Sequence, residues 1–148
     1  VIDRDEPKKI YVDNNGTENV EEEVIPIPIF NRIAAGTPIL LNEMREGYFY
    51  LPKAWFNNLQ DIFMIKVKGD SMIGKDINDG DYVIINKQQY AEIGDITAVE
   101  IDGNTTLKTY KIIGHKILLE PENKLYEPQI YDEEQVNILG VTIGVIKC

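Results

Sequence analysis

Few side chains in this 148-residue sequence are suited to covalent chemistry at neutral pH, so the candidates can be weighed one by one. The single histidine, His115, sits in Gly114-His115-Lys116. A Ser-His-Asp triad needs its histidine fixed beside the serine, whereas His115 reads as a solvated turn residue. The single cysteine, Cys148, is the last residue and lacks the fixed electropositive pocket that activates a thiolate. One cysteine supports neither an internal disulfide nor a cysteine-based zinc site. Asp76, Asp79 and Asp81 gather around Gly80, but without calcium-loop spacing and its terminal Glu they read as a turn. There remains Lys68-Gly69-Asp70-Ser71-Met72. Read locally, Ser71 is a helix N-cap. Alternatively it is a nucleophile activated by a lysine, as in the Ser-Lys variants of the triad. Gly74 stands where an S-x-x-K motif would carry its lysine, so a base must come from another segment. The stretch 105–113 offers Lys108 and Lys111, which have opposite parity on a strand, and at most one can face a given site. Periodicity does not choose between them.

The elements that would hold these residues read as β structure. Residues 63–68, 82–87, 96–101, 105–113, 116–120 and 137–147 are predicted strands, each bounded by Gly, Asp or Asn. Asp102-Gly103 is a two-residue hairpin signal. Short strands every ~8–15 residues, with no long helical period between them, predict a mostly β sandwich or barrel. Val24-Ile25-Pro26-Ile27-Pro28-Ile29-Phe30 is apolar but carries two prolines, so it is predicted to be extended and at a sheet edge at best. Residues 32–38 form a turn by their Gly and Pro. Residues 48–52 form a strand ending at its proline, and 53–59 a short helical turn. In the last segment Leu139, Val141, Ile143 and Val145 share one face, with Gly140, Thr142, Gly144 and Ile146 on the other. Apolarity on both faces predicts a strand covered on both sides or paired with another chain.

Composition narrows the partners. Hydrophobic residues make up 43% of the chain and charged residues 27%, enough for a buried core. The net charge of −10 argues against direct binding of DNA, which is held by clustered Lys and Arg. No apolar run approaches a membrane span, and no signal-peptide core is seen near the N-terminus. Residues 1–24, acidic and poor in large apolar side chains, read as a flexible linker, with 10–12 as a weak strand. Because the chain begins with Val rather than Met, a fragment of a longer cytoplasmic polypeptide is expected.

Taken together, Val67-Lys68-Gly69-Asp70-Ser71-Met72 followed by Ile77-Asn78-Asp79-Gly80-Asp81-Tyr82-Val83 resembles the C-terminal self-cleaving peptidase domain of LexA-type repressors. Thr106-Leu107-Lys108 stands where that family carries its lysine, and Ile33-Ala34-Ala35-Gly36-Thr37-Pro38-Ile39-Leu40 is similar to its Ala-Gly cleavage segment. Leu118-Leu119-Glu120-Pro121-Glu122-Asn123 and Gly140-Val141-Thr142-Ile143-Gly144-Val145-Ile146 also match. The likeness covers roughly residues 25–148, and Arg4-Asp5-Glu6-Pro7-Lys8 resembles the stretch that joins the repressor's DNA-binding domain to its peptidase domain. The resemblance implies a compact, mostly β LexA/signal-peptidase-type fold with short helical turns over 25–148. It implies Ser71 as nucleophile, Lys108 as general base and Ala35-Gly36 as the scissile bond, with no metal and no cofactor. The backbone amides of Ser71 and Met72 are the candidate oxyanion donors, as expected for a serine at a helix start. It further implies a homodimer, for which 137–147 is the candidate interface. The RecA filament on single-stranded DNA is implied as the stimulating partner, and operator DNA is implied to be read only by an N-terminal domain outside this chain. UmuD-like and phage-repressor self-peptidases share the domain. A signal-peptidase relative acting in trans and a non-catalytic dimerisation module are the other readings.

Overall fold

Strand β10 (Asn137–Lys147) lies in the middle of the sheet around which the chain is organised. The computed structural model describes residues 8–11 (backbone only), 23–31, 45–56 and 61–148. Within them the strands are β1 (Lys8–Tyr11), β2 (Val24–Phe30), β3 (Arg45–Pro52), β4 (Ile62–Lys66) and β5 (Tyr82–Lys87). They continue as β6 (Ile96–Ile101), β7 (Asn104–Ile113), β8 (Lys116–Glu120), β9 (Gln129–Tyr131) and β10. All ten join one sheet in the order β3-β2-β4-β5-β10-β6-β7-β8-β9, with β1 added in parallel to β10. Among the described residues the helical content is three short 3-10 turns, Lys53–Phe56, Ile73–Lys75 and Glu133–Gln135. The expectation of a mostly β chain with short helical turns is met. Among the described residues no helix is long and apolar enough to cross a membrane.

Alternation along the central strands sends side chains into two cores. From β4, Phe63 and Ile65 enter one core while Ile62 and Met64 enter the other; from β5, Val83 and Ile85 divide from Ile84 in the same way. This is the period-two geometry of a pleated strand buried on both faces. Met72 and Ile77, at 2% and 1% exposure, plug into the first core and anchor the loop between β4 and β5. That loop is closed at its neck, where the Val67 amide donates to Asp81 O at 2.8 Å and the Gly80 amide to Val67 O at 2.9 Å. Asp102 and Gly103 both take positive φ, as a tight hairpin turn demands, and join β6 to β7.

Two sequence expectations are corrected. Strict alternation in β10 predicts one face for Leu139, Val141, Ile143 and Val145. The register instead shifts between Thr142 and Gly144 against β5, and between Ile138 and Gly140 against β6. Each irregularity resets the parity, so Leu139 and Val145 enter the first core while Ile143 joins Ile146 in the second. The proline-bearing strand β2 is not a sheet edge along its whole length. It pairs with β3 throughout and lies beside β4 at Ile29 and Phe30. Its prolines pair with Tyr50 and Tyr48 of β3 and fall in the part without a β4 ladder, where an N–H facing that side would have no strand partner.

β10 finds its neighbours inside the chain. β5 flanks it on one side, and the other side is shared by β6 along 137–141 and β1 along 144–147. At its end Lys147 reaches back to the β4–β5 loop. Its Nζ donates to Asp76 O at 2.6 Å and forms an ion pair with the carboxylate of Asp81, which is only 3% exposed. Burial opposes the charged amine, but the Asp81 hydrogen bond and charge, helped by Asp76, outweigh it and raise the Lys147 pKa. A folded-state pKa raised above 10.5 means the contribution is complete at neutral pH and is lost only as pH climbs beyond that value. Lys147→Met strands the Asp81 carboxylate without its cation. It is expected to destabilise the fold by about 3 kcal/mol at neutral pH, read by urea denaturation.

Candidate active site

The β4–β5 loop and β7 come from different parts of the sheet, and their side chains meet at a cavity of about 380 Å³. Ser71, Thr106 and Lys108 line it, together with Ile101, Leu119 and Tyr131. Lys108 Nζ lies 3.2 Å from Ser71 Oγ, 2.8 Å from Thr106 Oγ1 and 3.2 Å from the Leu107 carbonyl. The parity left open by the sequence is thereby decided. Lys108 turns toward the serine, and Lys111 pairs on the opposite side with Glu120. Burial of the Lys108 amine pushes its pKa below the ordinary lysine value of 10.5, because a charged ammonium loses hydration there.

Ser71 is not a helix cap. The 3-10 turn that follows begins at Ile73, its cap position is Met72, and no side chain bonds to its amides there. The hydroxyl is directed to the lysine, and the neighbouring Met72 is sunk in the core. The amides of Ile73, Gly74 and Lys75 donate to Asp70 O, Glu122 O and Met72 O. Among the described residues those of Ser71 and Met72 have no acceptor, so they are available to an incoming oxygen.

The other sequence candidates are placed as well. His115 occupies the turn between β7 and β8, and Cys148 is exposed. Of the three aspartates, Asp79 accepts the Gly69 amide at 2.7 Å, Asp81 accepts the Asn78 amide at 2.8 Å, and Asp76 takes the left-handed conformation that ends the 3-10 turn. They shape and close the serine loop. Ala35 and Gly36 lie outside the described residues. Sequence reasoning gave Thr106 no role of its own, although two residues before Lys108 on a strand is the same face and the period-two rule points to it. It gave none to Asn123 either and overlooked Tyr126; both touch the serine loop through folding alone.

A serine hydroxyl set against a desolvated lysine amine, on a mostly β scaffold and at a cavity, has the components of a serine peptidase. The chain belongs to the Peptidase S24-like family, whose profile matches residues 28–143. It is similar over nearly its whole length to proteins named LexA repressor. That of Clostridium perfringens (strain SM101) is 39% identical over 147 residues, which are 99% of this chain and 71% of the relative. That of Geobacillus kaustophilus is 40% identical over 148 residues, or 98% and 70%. That of Acetivibrio thermocellus is 41% identical over 143 residues, or 97% and 62%.

The Thr106 hydroxyl accepts from the Lys108 amine, and an acceptor stabilises the ammonium more than the free amine. Thr106→Val is therefore expected to lower the Lys108 pKa further. An NMR titration of the lysine side chain checks this: the midpoint should move to lower pH, and an upward shift would contradict the assignment.

Proposed function

We propose that this chain is the self-cleaving part of a LexA-type repressor, in which Ser71 and Lys108 cut the Ala35-Gly36 bond of the same polypeptide. The observation that carries the reading is the 3.2 Å approach of a desolvated lysine amine to the serine hydroxyl. An ordinary lysine with a pKa near ~10.4 is neutral in fewer than about one molecule in a thousand at pH 7, an obstacle of roughly 4–5 kcal/mol to its use as a base. Burial of Lys108 works directly against that obstacle.

In the proposed reaction neutral Lys108 takes the proton from Ser71 Oγ as the oxygen attacks the carbonyl carbon of Ala35. The amides of Ser71 and Met72 receive the developing oxyanion. The bond from Ala35 to Gly36 then breaks, Lys108 returns the proton to the departing Gly36 amine, and water hydrolyses the Ala35 ester with Lys108 again as base. Small side chains at Ala34, Ala35 and Gly36 let the backbone approach the nucleophile.

Topology supports a cut within one chain. β2 and β4 run parallel, with Phe30 beside Ile65, so both strands end on the same side of the sheet. From β2 the chain departs into the segment 32–44 that contains Ala35, and from β4 it departs into the loop that contains Ser71. Each of the two residues lies five positions beyond its strand's last residue. Five residues reach at most about 17 Å, and substrate on the same chain has a high effective concentration. Such a reaction needs restraint, and a cleavage segment that docks fully only with a partner supplies it by population shift. In this reading the partner is the RecA filament on single-stranded DNA, formed during the SOS response to DNA damage. Cleavage then parts an N-terminal DNA-binding domain, joined through residues 1–24 and carrying residues 25–35, from the remainder of the dimerising domain of residues 25–148 in the cytoplasm. Dimerisation through β10 requires that β1 leave residues 144–147 or that the partner approach elsewhere along the strand.

Incubation of the purified chain at about pH 7 and about pH 10, followed by intact mass, tests the proposal. Two fragments meeting at Ala35-Gly36 are expected. Because the Lys108 pKa is lowered, the rate should rise with pH and level off below the ordinary lysine value. Ser71→Ala and Lys108→Ala should abolish it. A chain intact at both pH values, with or without activated RecA filament, overturns the proposal.

A further inference from the structure

The short segment that follows β8 grips the turn carrying Ser71. The Glu122 amide donates to the Ser71 carbonyl at 2.7 Å, and the Gly74 amide donates to the Glu122 carbonyl at 2.7 Å. Asn123 Nδ2 donates to the Asp70 carbonyl at 2.8 Å while its Oδ1 accepts the Leu125 amide at 2.9 Å. The Tyr126 hydroxyl donates to Asp70 Oδ1 at 2.6 Å. The approach is close enough that a Cβ on Gly74 would lie 2.6 Å from the Glu122 carbonyl oxygen. Residues 70, 71 and 74, on both sides of the nucleophile, are thus held by one segment. That segment continues directly from the β7–β8 hairpin on which Lys108 stands.

We infer that Tyr126 is a positioning residue, which locks the Ser71 turn to the β7–β8 hairpin through its hydrogen bond to Asp70 and so sets the distance from Ser71 to Lys108. The inference rests on the self-peptidase reading above. The sheet by itself couples the two residues weakly. Ser71 departs from β4 and returns into β5, and two further strands, β10 and β6, stand between β5 and β7. The brace from Tyr126 to Asp70 bypasses both. It is a hydrogen bond to a carboxylate, stronger than one between neutral groups. Its hydroxyl is dispensable for packing, because Tyr126 stands half exposed at the cavity wall. The Asp70 hydrogen bond, then its charge, then burial raise the phenol pKa, which favours the protonated phenol that the brace requires.

The test measures self-cleavage of the full chain from about pH 7 to about pH 10 by intact mass, with thermal unfolding alongside, for Tyr126→Phe, Asp70→Ala, their double variant and Asp70→Asn. Tyr126→Phe and Asp70→Ala are each expected to slow cleavage about tenfold at every pH, with the midpoint of the pH rise unchanged. The double variant should be no slower than the slower single one, because the two residues act through one bond. Asp70→Asn keeps an oxygen acceptor at Oδ1 and should recover most of the loss, a rescue that general loosening of the fold would not give. Wild-type speed in Tyr126→Phe, multiplied losses in the double variant, failure of Asn to rescue, or a moved pH midpoint each overturn the inference while the self-peptidase reading stands. A wild-type chain that stays intact overturns that reading and the inference with it.

Discussion

An amine held out of water beside a hydroxyl is the constraint on which the rest of this structure turns. Water stabilises an ammonium strongly, so removing hydration from Lys108 favours the neutral form that a base requires. The same removal is unfavourable to folding while the amine is charged, and the chain must offset it elsewhere. Three acceptors around Nζ limit the cost, and the two cores covering the central strands supply the burial that sustains it. A site of this kind is placed where rigid elements converge, since a displacement of about 1 Å between nucleophile and base forfeits much of the rate.

The sheet meets that requirement by unequal means. Lys108 and Thr106 stand on the half of a long strand that pairs with β6, while β8 pairs with the other half, and the β6 ladder fixes their direction. Ser71 stands on a loop, and loops need external anchoring. Met72 and Ile77 fasten it to a core, Asp79 and Asp81 close it internally, Lys147 ties it to the end of β10, and residues 122–126 hold the turn from outside. Acidic residues that look like a surface cluster in the sequence are therefore parts of the frame around Ser71.

The proposed self-cleavage draws on the parallel pairing of β2 with β4. In the proposed reading, two segments departing from the same end of adjacent strands need no long search to meet, so substrate segment and nucleophile share one polypeptide. On that proposal, high effective concentration makes restraint, rather than recognition, the problem for regulation. A buried lysine and the proposed intramolecular substrate would be complementary in this respect, because docking of an apolar segment over the site would deepen the desolvation of Lys108.

Much of this was legible in the residues alone. Strands at 82–87, 96–101, 116–120 and 137–147 have the bounds that alternation, β-branched content and Gly or Asp punctuation indicate, because those signals are local. The motif around Ser71 and the lysine on β7 were legible as types and order. Which lysine faces the serine was indicated by the family resemblance but not by periodicity, since parity on a strand is relative and only the register of β7 in the sheet makes it absolute. The same holds for the bulges that divide the apolar residues of β10 between two cores, and for Tyr126 and Asn123 against the serine turn. Contacts between residues some fifty positions apart leave no periodic trace in one sequence, because they are set by how strands stack and where loops are anchored, and only the folded chain decides them.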